Sequence, residues 1–112
     1  MNEQERRRHQ RVPLNCQGVI RLANGPETET EVIDISEGGL RCVYSKPVGL
    51  GTSAELRFTL PVAIGKECVV VGRVQHHHRH EQFYALGIEF TRTTADVITA
   101  IRSFIKQSTA TR

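Results

Sequence analysis

The sequence predicts an all-β fold with one C-terminal helix, in which six antiparallel strands form a small barrel. Two observations support this fold class. Polar and apolar residues alternate through six short runs, and turns rich in Gly, Pro or polar residues separate these runs. Near the C-terminus the apolar residues recur instead at helical spacing. A chain of 112 residues with 38% hydrophobic residues can build one modest core, so we expect one domain.

The alternating runs predict six strands, because the side chains of a strand point alternately to its two faces. The strands are predicted at 16–22, 28–35, 39–44, 53–60, 67–75 and 82–90. In the fourth run, one apolar face consists of Ala54, Leu56, Phe58 and Leu60. In the sixth run, the corresponding face consists of Tyr84, Leu86, Ile88 and Phe90. Strands of this kind pair into an antiparallel sheet with one buried face.

A helix is predicted at 93–107, where apolar residues form one stripe. The stripe consists of Val97, Ile98, Ile101, Phe104 and Ile105. Thr93 or Thr94 can cap the first turn, in which Asp96 suits the positive end of the helix dipole. Lys106 is expected in the last turn, where a cation is favourable. We expect the stripe to pack against the sheet or over a mouth of the barrel.

Composition bounds the possible partners and the location of the protein. The net charge of +3 and the pI of about 9.0 favour anionic partners in general. No stretch approaches the ~18–20 apolar residues of a membrane-spanning helix, and the N-terminal region has no apolar run of a secretory signal. Cys16, Cys42 and Cys68 form no CxxC pair, which favours buried reduced thiols over a zinc site or disulfides. These features predict a cytoplasmic protein without a membrane span.

Two short patterns contain the residues that we expect to bind a ligand. Arg7 and Arg11 are spaced as RxxxR within ERRRHQRVP, just before the first strand. Asp34, Ser36 and Gly39 are spaced as DxSxxG across the turn between the second and third strands. Each pattern alone is common, because charge runs are usually solvated tails and Asp, Ser and Gly are ordinary turn formers. Their order, separation and position among six strands make the combination far more specific.

With RRRHQRVPL, DISEGGL and YALGIEF, the chain resembles the PilZ family, the bacterial receptors for cyclic di-GMP. The resemblance extends from about Arg6 to Lys106. It implies a six-stranded antiparallel split β-barrel with a C-terminal helix, and ligand sensing without catalysis or a cofactor. We therefore expect a domain at 12–107 and a frayed tail at 108–112. Residues 1–11 have little to bury and are expected to be a flexible segment that wraps over the ligand and becomes ordered.

The chemistry of cyclic di-GMP fits the residue types of the two motifs. The O6 and N7 atoms of guanine form an edge with two acceptors that matches an arginine fork. A guanidinium can also pair with phosphate or stack on a base, and we assign these tasks to Arg7 and Arg11. An ionised Asp34 has only acceptors, so it is expected to bind the N1–H and N2 donors of guanine. Ser36 can donate to a phosphate or accept from the base amine.

Gly39 of the second motif and three residues outside the motif positions are also expected to contribute. Gly39 is expected to let the backbone approach the ligand or to hold a positive φ, and Gly38 supports the same turn. Arg8 lies inside the RxxxR spacing and points either to solvent or to a phosphate. Arg6 directly precedes the motif, as in family members that take a stacked pair of ligand molecules. The alternative is that Arg6 belongs to a solvated tail and that one ligand binds.

The histidine run HHHRH at 76–80 is expected to form an exposed hairpin end rather than a metal site. Adjacent residues of a strand point to opposite faces, so His76 and His78 could converge but His77 could not join them. No carboxylate or cysteine at ligand spacing completes a site, so no metal is predicted. A weaker functional interpretation places Gln75 or His76 beside the ligand or stacked on a base.

The leading hypothesis is a cyclic di-GMP receptor that acts as an adaptor for an unidentified downstream protein. The alternative is a small basic barrel that binds RNA or single-stranded DNA. That function requires aromatic stacking platforms, whereas the chain has 5% aromatic residues and no Trp. A third possibility is a PilZ module that docks onto a partner without binding nucleotide, although the intact motifs argue against it. The absence of a nucleophile–base pair or phosphate loop in the sequence argues against an enzyme.

Overall fold

The computed structural model describes residues 10–23, 25–62 and 65–110. Within these ranges, six strands precede one helix. They are β1 (Val12–Leu22), β2 (Glu27–Ile35), β3 (Gly39–Tyr44), β4 (Ser53–Leu60), β5 (Lys66–Arg79), β6 (Tyr84–Arg92) and α1 (Ala95–Ala110). The strands form a closed barrel in the order β1-β2-β3-β6-β5-β4, and every neighbouring pair is antiparallel. The predicted fold class is confirmed.

Two strands are longer than predicted. β1 begins at Val12, before its predicted start, although Pro13 and Asn15 are both unfavourable in strands. β5 continues to Arg79, beyond its predicted end, because it pairs with β6 as far as Tyr84. In the extension of β1, buried apolar residues do alternate with exposed residues. The extension of β5 at 76–79 is exposed throughout, so pairing with β6 decides where β5 ends.

The N-terminal end of α1 agrees with the predicted capping pattern. Thr94 is the N-cap, since its Oγ1 accepts a hydrogen bond from the backbone N–H of Val97 at 3.3 Å. Its carbonyl accepts from the N–H of Ile98 at 3.0 Å, the first bond of the helical ladder. Asp96 lies in the first turn, as predicted. Side-chain capping and charge thus fix the start of the helix.

The C-terminal end of α1 differs from the prediction. The helix continues to Ala110, three residues beyond its predicted end at 107. Thr109 Oγ1 donates to the carbonyl oxygen of Ile105 at 3.1 Å, a contact typical of Thr in a helix. Because the helix is longer, Lys106 does not lie in its last turn, and the expected cation at that end is missing.

The interior of the barrel and the inner face of α1 form one apolar core. Almost fully buried side chains on the strands include Ile20, Val32, Leu40, Leu56, Val70 and Leu86. On α1, Val97, Ile101 and Phe104 are buried, and the helix packs against β1, β4 and β5. Burying one such large apolar side chain contributes about 1.5–3 kcal/mol to stability. The core therefore uses the apolar stripe of α1, as expected.

No helix in the described ranges is both long and apolar enough to cross a membrane.

The three cysteines are free thiols. Cys42 and Cys68 are buried, and burial raises the pKa of Cys42 to about 12 and that of Cys68 to about 11. Cys16 is half-buried, and burial together with the charge of Glu31 also raises its pKa. Since only the thiolate is a strong nucleophile, the two buried thiols are inert at neutral pH.

Candidate functional site

Residues from four parts of the fold surround a groove of about 500 Å³ on the surface of the barrel. Its lining includes Arg11 before β1, Ser36, Gly38 and Gly39 in the β2–β3 turn, and Gln75 and His76 in β5. β6 supplies the remaining wall, from Gly87 to Phe90. The volume lies within the ~300–1,000 Å³ range of small-molecule sites. The closed barrel thus brings together segments that are far apart in sequence.

The register of the barrel aligns one residue from each of five strands in a row near the groove. Successive cross-strand neighbours on β1, β2, β3, β6 and β5 are Pro13, Asp34, Arg41, Gly87 and His76. The adjacent row of residues is buried in the core. Because side chains alternate along a strand, the row that contains Asp34 and Arg41 points to the outer face.

Three irregularities in strand register lie beside this row. One is in β1, just after Pro13, and one is in β2, just before Asp34. The third is in β5, where Gln75 is an unpaired extra residue between Val74 and His76. Such bulges change the direction of side chains and are frequent next to functional sites. In β5 the bulge explains why the consecutive residues Gln75 and His76 both line the groove instead of pointing to opposite faces.

Asp34 is a buried carboxylate that two arginines bind. Its side chain is only 9% exposed, against 41% for Arg11 and 44% for Arg41. Arg11 Nη1 donates to Asp34 Oδ1 at 3.0 Å, and Arg41 Nε donates to Oδ2 at 2.7 Å. Arg41 Nη2 lies 2.6 Å from the same Oδ2. These bonds compensate the cost of removing a carboxylate from water, and the hydrogen bond to Asp34 raises the pKa of Arg41.

Arg41 is absent from the site residues that the sequence predicted. The signal that could have found it is the register of the hairpin, not a motif. Asp34 and Arg41 flank the DxSxxG turn as cross-strand neighbours, one pair outside the buried pair Ile35 and Leu40. On a β-hairpin, directly opposite side chains of opposite charge interact. Counting outward from the turn would therefore have placed a guanidinium beside the motif aspartate.

The β2–β3 turn is closed by its own hydrogen bonds. The N–H and the Oγ of Ser36 both donate to the carbonyl oxygen of Gly39, at 2.8 and 3.3 Å. The same Oγ accepts from the N–H of Gly38 at 3.3 Å, and the carbonyl of Gly38 accepts from Phe90 N–H at 2.9 Å. Ser36 is 2% exposed. The hydroxyl of Ser36 therefore stabilises the turn, and the bond between Phe90 and Gly38 holds the turn against β6.

Gly39 is needed for close strand packing rather than for a positive φ. Among the described glycines, positive φ occurs at Gly51 and Gly65, so that part of the expectation for Gly39 is wrong. Gly39 pairs with Glu89 on β6, and a Cβ atom on Gly39 would overlap the carbonyl oxygen of Ile88. A side chain at this position would therefore push β3 away from β6 at the edge of the groove.

The family model of the PilZ domain matches residues 5–107. This chain belongs to the PilZ domain family. No curated protein matches the sequence of this PilZ domain. Membership in this family accounts for the presence of both short motifs in a six-stranded barrel. The barrel brings Arg11 of the first motif into contact with Asp34 of the second.

Solved structures share the fold of this PilZ domain at low sequence identity. The Bacillus subtilis inhibitor of motility, MotI/DgrA, aligns with a TM-score of 0.80 and 19% identity, over 96% of this chain and 53% of that one. The PilZ domain of Escherichia coli YcgR with c-di-GMP aligns with a TM-score of 0.72 and 15% identity, over 94% and 92%. Borreliella burgdorferi PlzA in complex with c-di-GMP aligns with a TM-score of 0.55 and 18% identity, over 93% and 37%. The PilZ domain thus spans about half of MotI/DgrA and less of PlzA.

The structure places most of the predicted site residues of the PilZ domain at the groove. Arg11, Ser36, Gly38, Gly39, Gln75 and His76 line it. Asp34 lies beside it, bound to Arg11. Arg6, Arg7 and Arg8 lie outside the described residues. The DxSxxG turn and the second arginine of RxxxR therefore meet, although 23 residues separate Arg11 from Asp34.

The remainder of the histidine run is exposed at the end of the β5–β6 hairpin. The ring of His80 stacks on Phe83, with centroids 4.6 Å apart and an interplanar angle of 14°. His77 makes an edge contact with Tyr84. In contrast, the ring of His76 lies over Gly87, where a Cβ atom would overlap it. Among the described side chains, no group of three or more His, Cys, Asp or Glu is placed to hold a metal ion.

The β2–β3 turn also contacts the C-terminal helix. Glu37 lies between the groove residues Ser36 and Gly38, and its carboxylate accepts a hydrogen bond from Arg102 of α1. The side chain of Arg102 is largely exposed. The pair links the groove to an element that otherwise packs on β1, β4 and β5.

Proposed function

We propose that this PilZ domain is a receptor that binds cyclic di-GMP in the groove, and that it is not an enzyme. The observation that carries the proposal is the ion pair between Arg11 and the buried Asp34 at the rim of a groove that the DxSxxG turn lines. The E. coli YcgR domain and B. burgdorferi PlzA, both solved with c-di-GMP, share the fold and support this assignment.

Each described motif residue has a role that its position supports. Arg11 is partly exposed at the groove, so its guanidinium can turn to the O6 and N7 edge of guanine or to a phosphate. Asp34 then accepts from the N1–H and N2 donors of a guanine. Gly38 and Gly39 present a bare backbone at the turn, which lets the ligand approach closely. Ser36 binds a phosphate or the base amine if its bonds within the turn rearrange.

The residues that flank the groove complete the proposed complex. Gln75 and His76 line the wall opposite the turn, where the imidazole of His76 can stack on a base. Arg7 shares the tasks of Arg11, and Arg8 contacts a phosphate or faces solvent. Residues 1–11 wrap the ligand and become more ordered when it binds, which changes the surface offered to a downstream protein.

Arg6 is the basis for a second ligand molecule. A stacked pair of cyclic di-GMP molecules brings four phosphates, whose charge a further guanidinium can offset while it caps an outer base. We therefore propose two ligands per chain, with a single ligand as the alternative if Arg6 does not contact the stack. Replacement of Arg6 by Leu removes the charge and the planar fork together.

Isothermal titration calorimetry with cyclic di-GMP tests the receptor function, with GTP, a linear guanine dinucleotide and a short single-stranded RNA as competitors. Selective binding of cyclic di-GMP is expected, with a stoichiometry near two that falls to one in Arg6→Leu. Preferential binding of the RNA would favour the nucleic-acid alternative, and no heat with any ligand would contradict the receptor function. A stoichiometry of one in both proteins would reject the second ligand alone.

A further inference from the structure

We propose that Arg41 is a positioning residue of the ligand site. It holds Asp34 through Oδ2, so that Oδ1 can exchange Arg11 for a guanine. The proposal rests on the receptor function proposed above and assigns a role to a residue outside both motifs. It also explains how a carboxylate that is already paired with two arginines can bind a base.

The two arginines hold Asp34 unequally. Arg41 makes two close contacts with one oxygen, at 2.7 Å from Nε and 2.6 Å from Nη2. Arg11 makes one contact of 3.0 Å with the other oxygen. Short charge-assisted bonds are stronger than longer ones, and two bonds from one planar group fix its orientation as well. The bond between Arg11 and Oδ1 is therefore the one that a ligand can replace at lower cost.

The two arginines also differ in the backbone that supports them. Arg41 lies in β3, which pairs with β2 at Asp34 and with β6 at Gly87. Arg11 precedes β1 and lies outside every strand. A side chain on a strand that pairs on both sides is held more rigidly than one on a chain segment outside the sheet. This difference makes Arg41 the fixed partner and Arg11 the exchangeable one.

Charge supports the same division of roles. Cyclic di-GMP is a dianion, so a buried carboxylate with no cation beside it would repel the ligand. When Arg11 leaves Asp34, Arg41 still compensates the charge of this buried carboxylate, which is only 9% exposed. The freed guanidinium of Arg11 then adds a positive charge to the groove. Because Arg41 remains bound to Asp34, the ion pair between Arg11 and Asp34 can be replaced by two contacts with the ligand, one from each of these two residues.

A double-mutant cycle on the affinity for cyclic di-GMP tests this role. Arg41→Gln is expected to weaken binding by about tenfold in the wild-type background. In the Asp34→Asn background the same substitution is expected to change the affinity by less than about twofold, because Arg41 acts through Asp34. Arg41→Lys, which keeps the charge but loses the fork, is expected to recover part of the affinity. An equal loss in both backgrounds would show direct contact with the ligand and would overturn the proposal.

Arg57→Gln is the matched control, because Arg57 is also a strand arginine paired with a carboxylate, Glu27, but lies away from the groove. It is expected to leave the affinity unchanged. A weakening equal to that of Arg41→Gln would attribute the effect to general loss of surface charge and would contradict the proposal.

A measurement without any ligand separates this proposal from the receptor function. In ¹⁵N NMR spectra of the free protein, the Nε–H of Arg41 is expected to show slow solvent exchange, which Asp34→Asn abolishes. The Nη groups of Arg11 are expected to exchange faster than those of Arg41. Equal exchange at the two arginines would overturn the division of roles, even if cyclic di-GMP binds. Slow exchange at Arg41 in a protein that binds no cyclic di-GMP would overturn the receptor function but would still support the contact of Arg41 with Asp34.

Discussion

Two hairpins meet at the groove, and they differ in how firmly the rest of the molecule holds them. The β2–β3 hairpin is short, its turn is closed by the bonds of Ser36, and its Asp34 is buried between two arginines. The β5–β6 hairpin is long, and its histidines are exposed beyond the barrel. β6 is a strand of the second hairpin, in which it pairs with β5, and it also pairs with β3 of the first hairpin. The first hairpin provides a buried carboxylate and a closed turn, and the second provides an exposed wall at Gln75 and His76.

Two glycines on these hairpins give the largest expected effect on stability. Gly39→Ala places a methyl group against the backbone carbonyl of Ile88, which cannot move without separating β3 from β6. We expect a loss of about 1–3 kcal/mol in the free energy of unfolding. Gly87→Ala places the methyl group against the ring of His76, a side chain that can rotate away. Its expected cost is at most about 1 kcal/mol.

Urea denaturation of both variants, followed by circular dichroism, measures this difference. Equal stability losses would mean that the two hairpins are held alike, and a stable Gly39→Ala variant would contradict the close approach of β3 to β6. The chemical shifts of the His76 ring are expected to change in Gly87→Ala, whereas those of His78 remain the same.

The motif arginines are expected to give the largest effect on binding. Arg11→Ala loses one bidentate contact with guanine, worth about 1–3 kcal/mol, which is roughly one to two decades of affinity. Arg7→Ala is expected to lose a similar amount. Calorimetric titration with cyclic di-GMP measures the loss, and an unchanged melting temperature shows that the fold is kept. Wild-type affinity in both variants would reject the proposed roles of Arg7 and Arg11.

The contrast between the hairpins also explains what the sequence could predict. Burial imposes alternation, so the apolar faces of β4 and β6 and the stripe of α1 could be predicted from residues such as Leu56 and Ile101. The exposed end of β5 carries no such pattern, and its length follows from pairing with β6. The contact between Arg11 and Asp34 and the bulge at Gln75 depend on partners outside the local hairpin turn, whereas the register that joins Asp34 to Arg41 can be counted from that turn.

Within the site, the motif residues could be predicted because their chemical types and spacing are local. The spacing of the motif grouped Asp34, Ser36 and Gly39, but the contacts of these residues could be described only from the fold. The hydroxyl of Ser36 is used inside the turn, and Gly39 serves strand packing. A spacing pattern indicates which side chains share a turn. It does not indicate which of their hydrogen-bonding atoms are already occupied by other residues, as Arg41 occupies Oδ2 of Asp34.

A smaller effect on binding is expected from the exposed wall at Gln75 and His76. His76→Ala removes a ring that lines the groove, and we expect a loss of about 1 kcal/mol, or roughly fivefold in affinity for cyclic di-GMP. His78→Ala is the matched control, since His78 is exposed on the same strand and does not line the groove. Equal affinities for the two variants would assign the wall no part in binding. A loss as large as that of Arg11→Ala would make the wall as important as the motif.

The smallest expected effect is at the contact between the β2–β3 turn and α1. Arg102→Gln breaks the ion pair with Glu37, but the side chain of Arg102 is 67% exposed, so water and salt already weaken this interaction. We expect a loss of less than about 1 kcal/mol in the free energy of unfolding, and less still at high salt. The turn keeps its own hydrogen bonds through Ser36 and its anchor to Phe90, so affinity for cyclic di-GMP should change by less than about twofold. A larger change in affinity without a larger change in stability would show that the helix acts on the site through Glu37, and the β2–β3 hairpin would then be less independent than its internal hydrogen bonds indicate.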